Sequence, residues 1–106
     1  MNEMQSNAGK EVKMFTVIDI IDGDTYKVSP DWKWNGKSGN VVRPLGFDTP
    51  ERGEPSFEQA TATARTLLSG KRVELKNPVS ISYGRLVCEV WISGRNIAEY
   101  FQRHVA

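Results

Sequence analysis

This sequence has one cysteine, one histidine and almost no net charge. A single cysteine among 106 residues, Cys88, excludes an internal disulfide and a cysteine-based zinc cluster, and its apolar neighbours predict a buried thiol. With 14 basic and 13 acidic residues the formal net charge is +1, so the chain lacks the basic excess that is typical of a nucleic-acid-binding domain. No apolar run is long enough for a membrane-spanning helix. Any binding of a charged ligand must therefore depend on the local placement of a few side chains.

The length and composition fit one small globular domain. Hydrophobic residues make up 39% of the chain and charged residues 25%, and 106 residues are enough for one core but not for two. We expect the polar residues 1–12 to form a flexible N-terminal tail and residues 13–106 to form the domain. Residues 1–12 lack the apolar segment of a secretory signal, so the protein is either intracellular or has lost a signal by processing.

Hydrophobic periodicity predicts five strands, with one helix between the third and fourth strands and a second helix at the C-terminus. The predicted strands are residues 14–21, 26–29, 42–47, 72–76 and 86–92, and the helices follow Ser56 and Gly94. This order is expected of a five-stranded Greek-key barrel of the oligonucleotide- and oligosaccharide-binding type, the OB-fold. The predicted fold class is therefore mainly β with helices.

Local signals predict where these elements begin and end. Ser56 and Gln59 fit a capping box at the start of the first helix, whose apolar stripe continues until Gly70. The proline at residues 77–78 is expected to end the fourth strand, because proline has no backbone N–H to donate to a neighbouring strand. For the same reason, residues 49–50 are expected to end the third strand.

Tryptophan alternates with lysine in residues 30–40, which we predict to form a long connection between the second and third strands. Trp32 and Trp34 lie there beside Lys33 and Lys37. These side chains either stack on bases and contact phosphates, or they belong to a hairpin whose tryptophans fold back on the barrel. Both alternatives stay open, and Trp32 and Trp34 are candidate substrate-binding residues.

Acidic and arginine side chains gather at the ends of the predicted strands. They are Asp22 and Asp24 on the turn of the first hairpin, Asp48 and Glu51 after the third strand, and Arg43 and Arg85 near the starts of two strands. Carboxylates in this number suit a hard divalent cation, and the planar guanidinium group suits a phosphate. Together they can hydrolyse a phosphodiester, with one acid anchoring the cation, another activating water, and the arginines neutralising the developing charge. The alternative is a set of ordinary surface ion pairs.

Three sequence blocks follow one another along the chain. They are V-I-D-I-I-D-G-D-T-Y-K-V at residues 17–28, V-R-P-L-G-F-D-T-P-E at residues 42–51, and Y-G-R-L-V-C-E-V at residues 83–90. In order and spacing they resemble the signature blocks of the staphylococcal (micrococcal) nuclease family, and the resemblance spans residues 16–106. It implies a calcium-dependent nuclease on the predicted barrel, which cuts DNA and RNA with little sequence preference.

The resemblance also implies which residues bind calcium. Asp24 and Asp48 match the family's calcium-binding carboxylates, and Thr49 matches the residue that supplies a backbone carbonyl to the ion. Asp22 matches a nearby acid that helps to hold the site. The implied metal ligands are therefore shared between the first hairpin turn and the end of the third strand.

Four further residues match positions that act on the substrate in this family. Glu51 matches the proposed general base, and Arg43 and Arg85 match the two arginines that bind the scissile phosphate. Tyr83 completes the third block and is expected near the bound phosphate. The departures from the family pattern include Pro44 and Gly46, which replace the apolar residues usual in the third strand.

Two classes of function remain open. One is an active metal-dependent nuclease that acts as a monomer on DNA and RNA, prefers single strands and does not bind membranes. The other is a non-catalytic OB-fold module of the same family, which binds nucleic acid or peptide. The complete set of acids and arginines favours the nuclease, because a pure binding module has no physical need to keep it.

Overall fold

Five strands form a closed barrel in the part of the chain that the structure describes. The structure is a computed structural model that describes residues 13–47, 53–54 and 56–101. In chain order its elements are β1 (Met14–Asp22), β2 (Thr25–Trp34), β3 (Lys37–Pro44), α1 (Phe57–Leu68), β4 (Arg72–Ser82), β5 (Arg85–Ile92), β6 (Arg95–Asn96) and α2 (Ala98–Phe101). The strand order is β3-β2-β1-β4-β5-β6, and a parallel pairing of β3 with β5 closes the barrel. The predicted OB-fold barrel is confirmed, with β6 as a short addition.

Alternating residues of the five long strands fill the barrel, and the two helices complete its core. The fully buried side chains include Val17, Tyr26, Val28, Val42, Val73 and Val90 from the strands, Leu68 from α1, and Phe101 from α2. The Phe101 ring stacks on Phe47 with centroids 4.5 Å apart. Cys88 is buried as predicted, and burial raises the pKa of its thiol to about 12. Neither of the two described helices has the length and apolar character needed to cross a membrane.

Residues 30–40 form a long β-hairpin, which is the second of the two alternatives given for this segment. β2 continues to Trp34 and β3 begins at Lys37, so only Asn35 and Gly36 remain between the strands. Both turn residues have positive φ, 53° and 78°, as in the tight turns that asparagine followed by glycine favours. The second strand was predicted to end at residue 29, whereas β2 continues through Pro30 to Trp34. A register shift between Lys27 and Trp32 lets the hairpin pass that proline.

Three other predicted boundaries also differ from the structure. β4 continues past residues 77–78, because a register shift places Asn77 at φ 52° and β4 pairs with β5 again at Ser80. Ser56 does not form the predicted capping box, since it has φ 74° and makes no side-chain hydrogen bond to α1. β3 ends at Pro44 rather than extending through Phe47. The tail predicted at residues 1–12 and the predicted end of the last helix at Val105 lie outside the described residues.

Gly39 provides a test of the packing inside the hairpin. It pairs with Trp32, whose ring is 2% exposed and whose Nε1 donates to the Val41 carbonyl at 2.9 Å. A Cβ at position 39 would lie 2.8 Å from Cζ2 of that ring. We expect Gly39→Ala to lower the free energy of unfolding by about 1–3 kcal/mol, because the buried ring must move to make room. Thermal melts would measure the loss.

The neighbouring substitution Ser38→Ala is the matched control. Ser38 is exposed, so we expect its replacement to change the free energy of unfolding by less than about 0.5 kcal/mol. If Gly39→Ala melts at the same temperature as the wild type and Ser38→Ala, then Trp32 does not pack on Gly39 as described.

Candidate active site

Two carboxylates lie on the tight turn between β1 and β2. The backbone N–H of Asp24 donates to Oδ1 of Asp22 at 3.1 Å. Below the turn, the hydroxyl of the fully buried Tyr26 donates to the Gly23 carbonyl at 2.7 Å. Burial, helped by the negative charges of the two aspartates, raises the pKa of Tyr26 and keeps this hydroxyl a donor. A core side chain therefore fixes the turn that carries the carboxylates.

Arg43 of β3 reaches the same turn. The pairing of Tyr26 with Val42 brings the next residue, Arg43, beside the start of β2. Its Nη1 lies 2.7 Å from Oδ2 of Asp24, and the side chains of Arg43 and Asp24 are 25% and 13% exposed. This ion pair is thus largely shielded from solvent, where an electrostatic contact is stronger than on an open surface.

The parallel pairing of β3 with β5 places Arg85 on the same side of the barrel as Arg43. Val41 pairs with Arg85, and Arg43 pairs with Val87, so the two arginines share a face and are offset by two residues. Arg85 Nε donates to the Ser82 carbonyl at 3.1 Å, and its Nη1 donates to Oγ1 of Thr25 at 3.4 Å. These bonds hold the Arg85 guanidinium beside the turn that carries Asp24.

The charges at this end of the barrel suit a cation and a phosphate. Burial raises the pKa of Asp22, and the neighbouring Asp24 carboxylate raises it further. A bound cation would relieve the cost of keeping both carboxylates ionised, and their oxygens are the ligands that calcium prefers. The residues therefore fit calcium in chemical type. Within the described ranges, no group of three or more His, Cys, Asp or Glu side chains forms a metal site.

The structure brings together four of the predicted site residues, which are Asp22, Asp24, Arg43 and Arg85. Three others, Asp48, Thr49 and Glu51, lie outside the described residues, and their roles stay predictions. Tyr83 is 95% exposed on the turn before β5, and its ring centroid lies 5.8 Å from Cζ of Arg85. Tyr83 is thus placed where it can contact a ligand bound to Arg85.

The two predicted tryptophans lie elsewhere. Trp32 is 2% exposed inside the hairpin, so its ring has no free face for a base, and its assignment to substrate binding was wrong. The alternative in which the tryptophans fold back on the barrel describes Trp32 correctly. Trp34 is partly buried at the far end of β2, away from the Asp24 turn.

Thr25 is the site residue that sequence reasoning missed. It is 6% exposed, accepts the hydrogen bond from Arg85, and its Oγ1 lies 3.5 Å from Oδ1 of Asp24. Its hydroxyl therefore joins the arginine of β5 to the carboxylate turn. Its position directly after the two acids, at the start of a strand, was the signal that could have identified it.

Comparison with known proteins identifies a relative of this chain. The protein named Thermonuclease from Staphylococcus hyicus is 36% identical over 95 residues, a match that covers 82% of this chain and 52% of that protein. The chain thus spans about half the length of the relative that it matches. No protein-family model matches the chain.

Proposed function

The chain holds a thermonuclease-like domain of the staphylococcal nuclease type, and from this premise we propose that it is a calcium-dependent phosphodiesterase. Its substrates would be DNA and RNA, cut with little sequence preference, with single strands preferred and the chain acting as a monomer. One observation supports the proposal most directly. Asp24, Arg43 and Arg85 lie together at one end of the barrel. Two guanidinium groups beside a carboxylate turn are the parts that phosphodiester hydrolysis needs.

Asp22 and Asp24 would hold calcium together with Asp48 and the backbone carbonyl of Thr49. Bound calcium supplies Lewis-acid activation of the phosphodiester. The described residues contribute the two carboxylates of the β1–β2 turn, which the Tyr26 hydroxyl supports from below. Because Asp24 also contacts Arg43, the ion and one phosphate-binding arginine would share a single anchor.

Arg43 and Arg85 would bind the phosphate oxygens and stabilise the charge that develops on them during attack. Glu51 would accept a proton from the attacking water. The oxygen of that water forms a new bond to phosphorus, the bond from phosphorus to the leaving oxygen breaks, and the leaving oxygen takes up a proton. Thr25 acts as a positioning residue, since its hydroxyl accepts a hydrogen bond from Arg85.

Digestion of heat-denatured DNA and of RNA tests the proposal. We expect cutting in calcium, cutting at least about tenfold slower in magnesium, and none in excess chelator, because magnesium demands a near-octahedral shell and loses water reluctantly. Size analysis of the products over time would measure the rates, and calcium added after the chelator should restore them.

An Arg85→Ala protein purified in the same way controls for a contaminating nuclease. If it cuts as fast as the wild type, the activity does not belong to this site. Undiminished cutting in chelator would contradict the calcium requirement. Binding of single strands without any cutting would instead support the non-catalytic OB-fold module.

A further inference from the structure

The three tryptophans of the chain differ in how their indole N–H groups are used. Nε1 of Trp32 donates to the Val41 carbonyl, and Nε1 of Trp91 donates to Oε1 of Glu89, each at 2.9 Å. The indole N–H of Trp34 makes no hydrogen bond to any residue that the structure describes. Trp34 is nevertheless partly buried against the core. It is thus the tryptophan whose polar edge is left for solvent or a ligand.

Trp34 lies in a concavity at the tip of the β2–β3 hairpin. A cavity of about 440 Å³ is lined there by residues 33–38. Lys37 pairs directly with Trp34, and Lys33 lies on the neighbouring position of β2. Neither lysine has an ion-pair partner among the described residues. The Trp34 ring and its N–H donor therefore share one face with the Lys37 ammonium group, and Lys33, on the opposite face of β2, borders the same concavity.

From this surface, which we call the hairpin tip (residues 33–38), we infer a second binding site that takes nucleotides of a single-stranded nucleic acid. A base would stack on Trp34, one flanking phosphate would contact Lys37 on the same face, and the next would contact Lys33 at the border of the concavity. Asp31 is the one acidic residue in β2 or β3, so the charge of the hairpin favours a polyanion. A protein partner fits less well, because a stable protein interface needs about 800 Å² on each side, more than six tip residues supply.

The buried part of the hairpin holds this site in place. Trp32 packs on Gly39 just below the tip and donates to the Val41 carbonyl. A surface that is already ordered loses less conformational entropy when a ligand binds. The hairpin tip is thus suited to act as a fixed contact for a flexible strand.

Binding at the hairpin tip should depend on the length of the substrate, because the tip lies far from Asp24 in the active site. The residues of β2 from Thr25 to Trp34 span roughly 30 Å when extended. At about 3.4 Å per nucleotide, as in one strand of a duplex, a trinucleotide cannot reach from Arg43 to Trp34, whereas a 12-mer can. The inference rests on the proposed function for its substrate class, and it adds a contact that only longer strands can use.

Two probes, four variants of the hairpin tip and one control variant test it. The probes are single-stranded oligothymidylates of 12 and 3 nucleotides, and the variants are Trp34→Leu, Trp34→Phe, Lys33→Ala and Lys37→Ala. Trp34→Leu keeps an apolar group against the core but removes the aromatic face, so we expect the affinity for the labelled 12-mer in chelator to fall about tenfold. Trp34→Phe should remain within about twofold of the wild type because it keeps a ring. Each lysine variant should weaken binding and reduce its salt dependence, whereas Lys71→Ala, a matched loss of charge in the connection between α1 and β4, should not.

Cleavage kinetics separate the hairpin tip from the active site. For the 12-mer, Trp34→Leu should raise KM about tenfold and leave kcat unchanged, because the lost contact is far from the reacting phosphate. For the trinucleotide, which must occupy the active site to be cut, neither constant should change. Binding of the 12-mer should also quench tryptophan fluorescence in the wild type but not in Trp34→Phe, since Trp32 and Trp91 keep their contacts within the protein.

The outcomes distinguish this inference from the proposed function. If the wild type cuts both oligonucleotides and Trp34→Leu binds the 12-mer as tightly as the wild type, the hairpin-tip site is wrong and the nuclease stands. If the 12-mer binds in a Trp34-dependent manner but nothing is cut, the hairpin-tip site is supported and the nuclease is wrong. Thermal melts of every variant show whether a loss of binding reflects a loss of fold.

Discussion

Replacing Arg85 by lysine should lower turnover about a thousandfold, as expected for an arginine that stabilises a phosphoryl transition state. Nε and Nη1 of Arg85 already donate to the Ser82 carbonyl and the Thr25 hydroxyl. The remaining donors of the same rigid plane are free to face a phosphate. A lysine ammonium can keep the positive charge, but it cannot hold these two protein contacts and a paired contact to phosphate at once.

Turnover and nucleotide affinity of Arg85→Lys, measured beside a thermal melt, would check this expectation. The melt should change little, since Arg85 is not part of the apolar core. Arg95→Lys is the matched control, because the Arg95 side chain is 60% exposed and its Nε lies a long 3.9 Å from Oε1 of Glu99. If Arg85→Lys turns over substrate at the wild-type rate, then Arg85 does not act on the reacting phosphate.

The barrel could be predicted from the sequence because its strands carry strong local signals. In β5, buried residues alternate with partly buried ones, and the sequence itself shows the hydrophobic pattern of this strand and the turn at Asp22 and Asp24. The predicted strand ends are wrong where pairing with a neighbouring strand continues past a local signal for a strand end. The second strand was expected to end at residue 29, yet the pairing of Trp32 with Gly39 continues the hairpin beyond Pro30. The Asn35-Gly36 step is the sequence signal for that hairpin, since both residues readily adopt the positive φ that its turn requires.

The residues of the site could be predicted from the sequence, but their arrangement in space could not. The acids and arginines could be identified as a set, because their chemistry suits a cation and a phosphate. The contact between Arg43 and Asp24 depends on the register of β2 against β3, which no short sequence window contains. The shared face of Arg43 and Arg85 depends on the parallel pairing that closes the barrel. Thr25 was missed for the same reason, since its partner Arg85 is 60 residues away in sequence.

Replacing Asp24 by asparagine should have the second large effect, on both turnover and calcium binding. Asparagine keeps the shape of the side chain but loses the negative charge that faces Arg43 and that would bind the ion. Substitutions of groups that only support a metal ligand typically cost about 10–100-fold, so loss of a ligand charge should lower turnover at least about a hundredfold. Without calcium, the loss of this largely shielded pair should cost about 1–3 kcal/mol, between the values for exposed and fully buried pairs.

The change in melting temperature on adding calcium measures calcium binding separately from the stability of the ion pair, and it needs no activity assay. At a calcium concentration 100 times Kd, binding to the folded protein adds about 2.7 kcal/mol of stability, so the wild type should melt at a clearly higher temperature with calcium than with chelator. Asp24→Asn should lose most of this difference because its affinity for the ion falls. Asp19→Asn, at an exposed position of β1, should keep it in full. If Asp24→Asn gains as much from calcium as the wild type does, then Asp24 is not a ligand and the ion binds elsewhere.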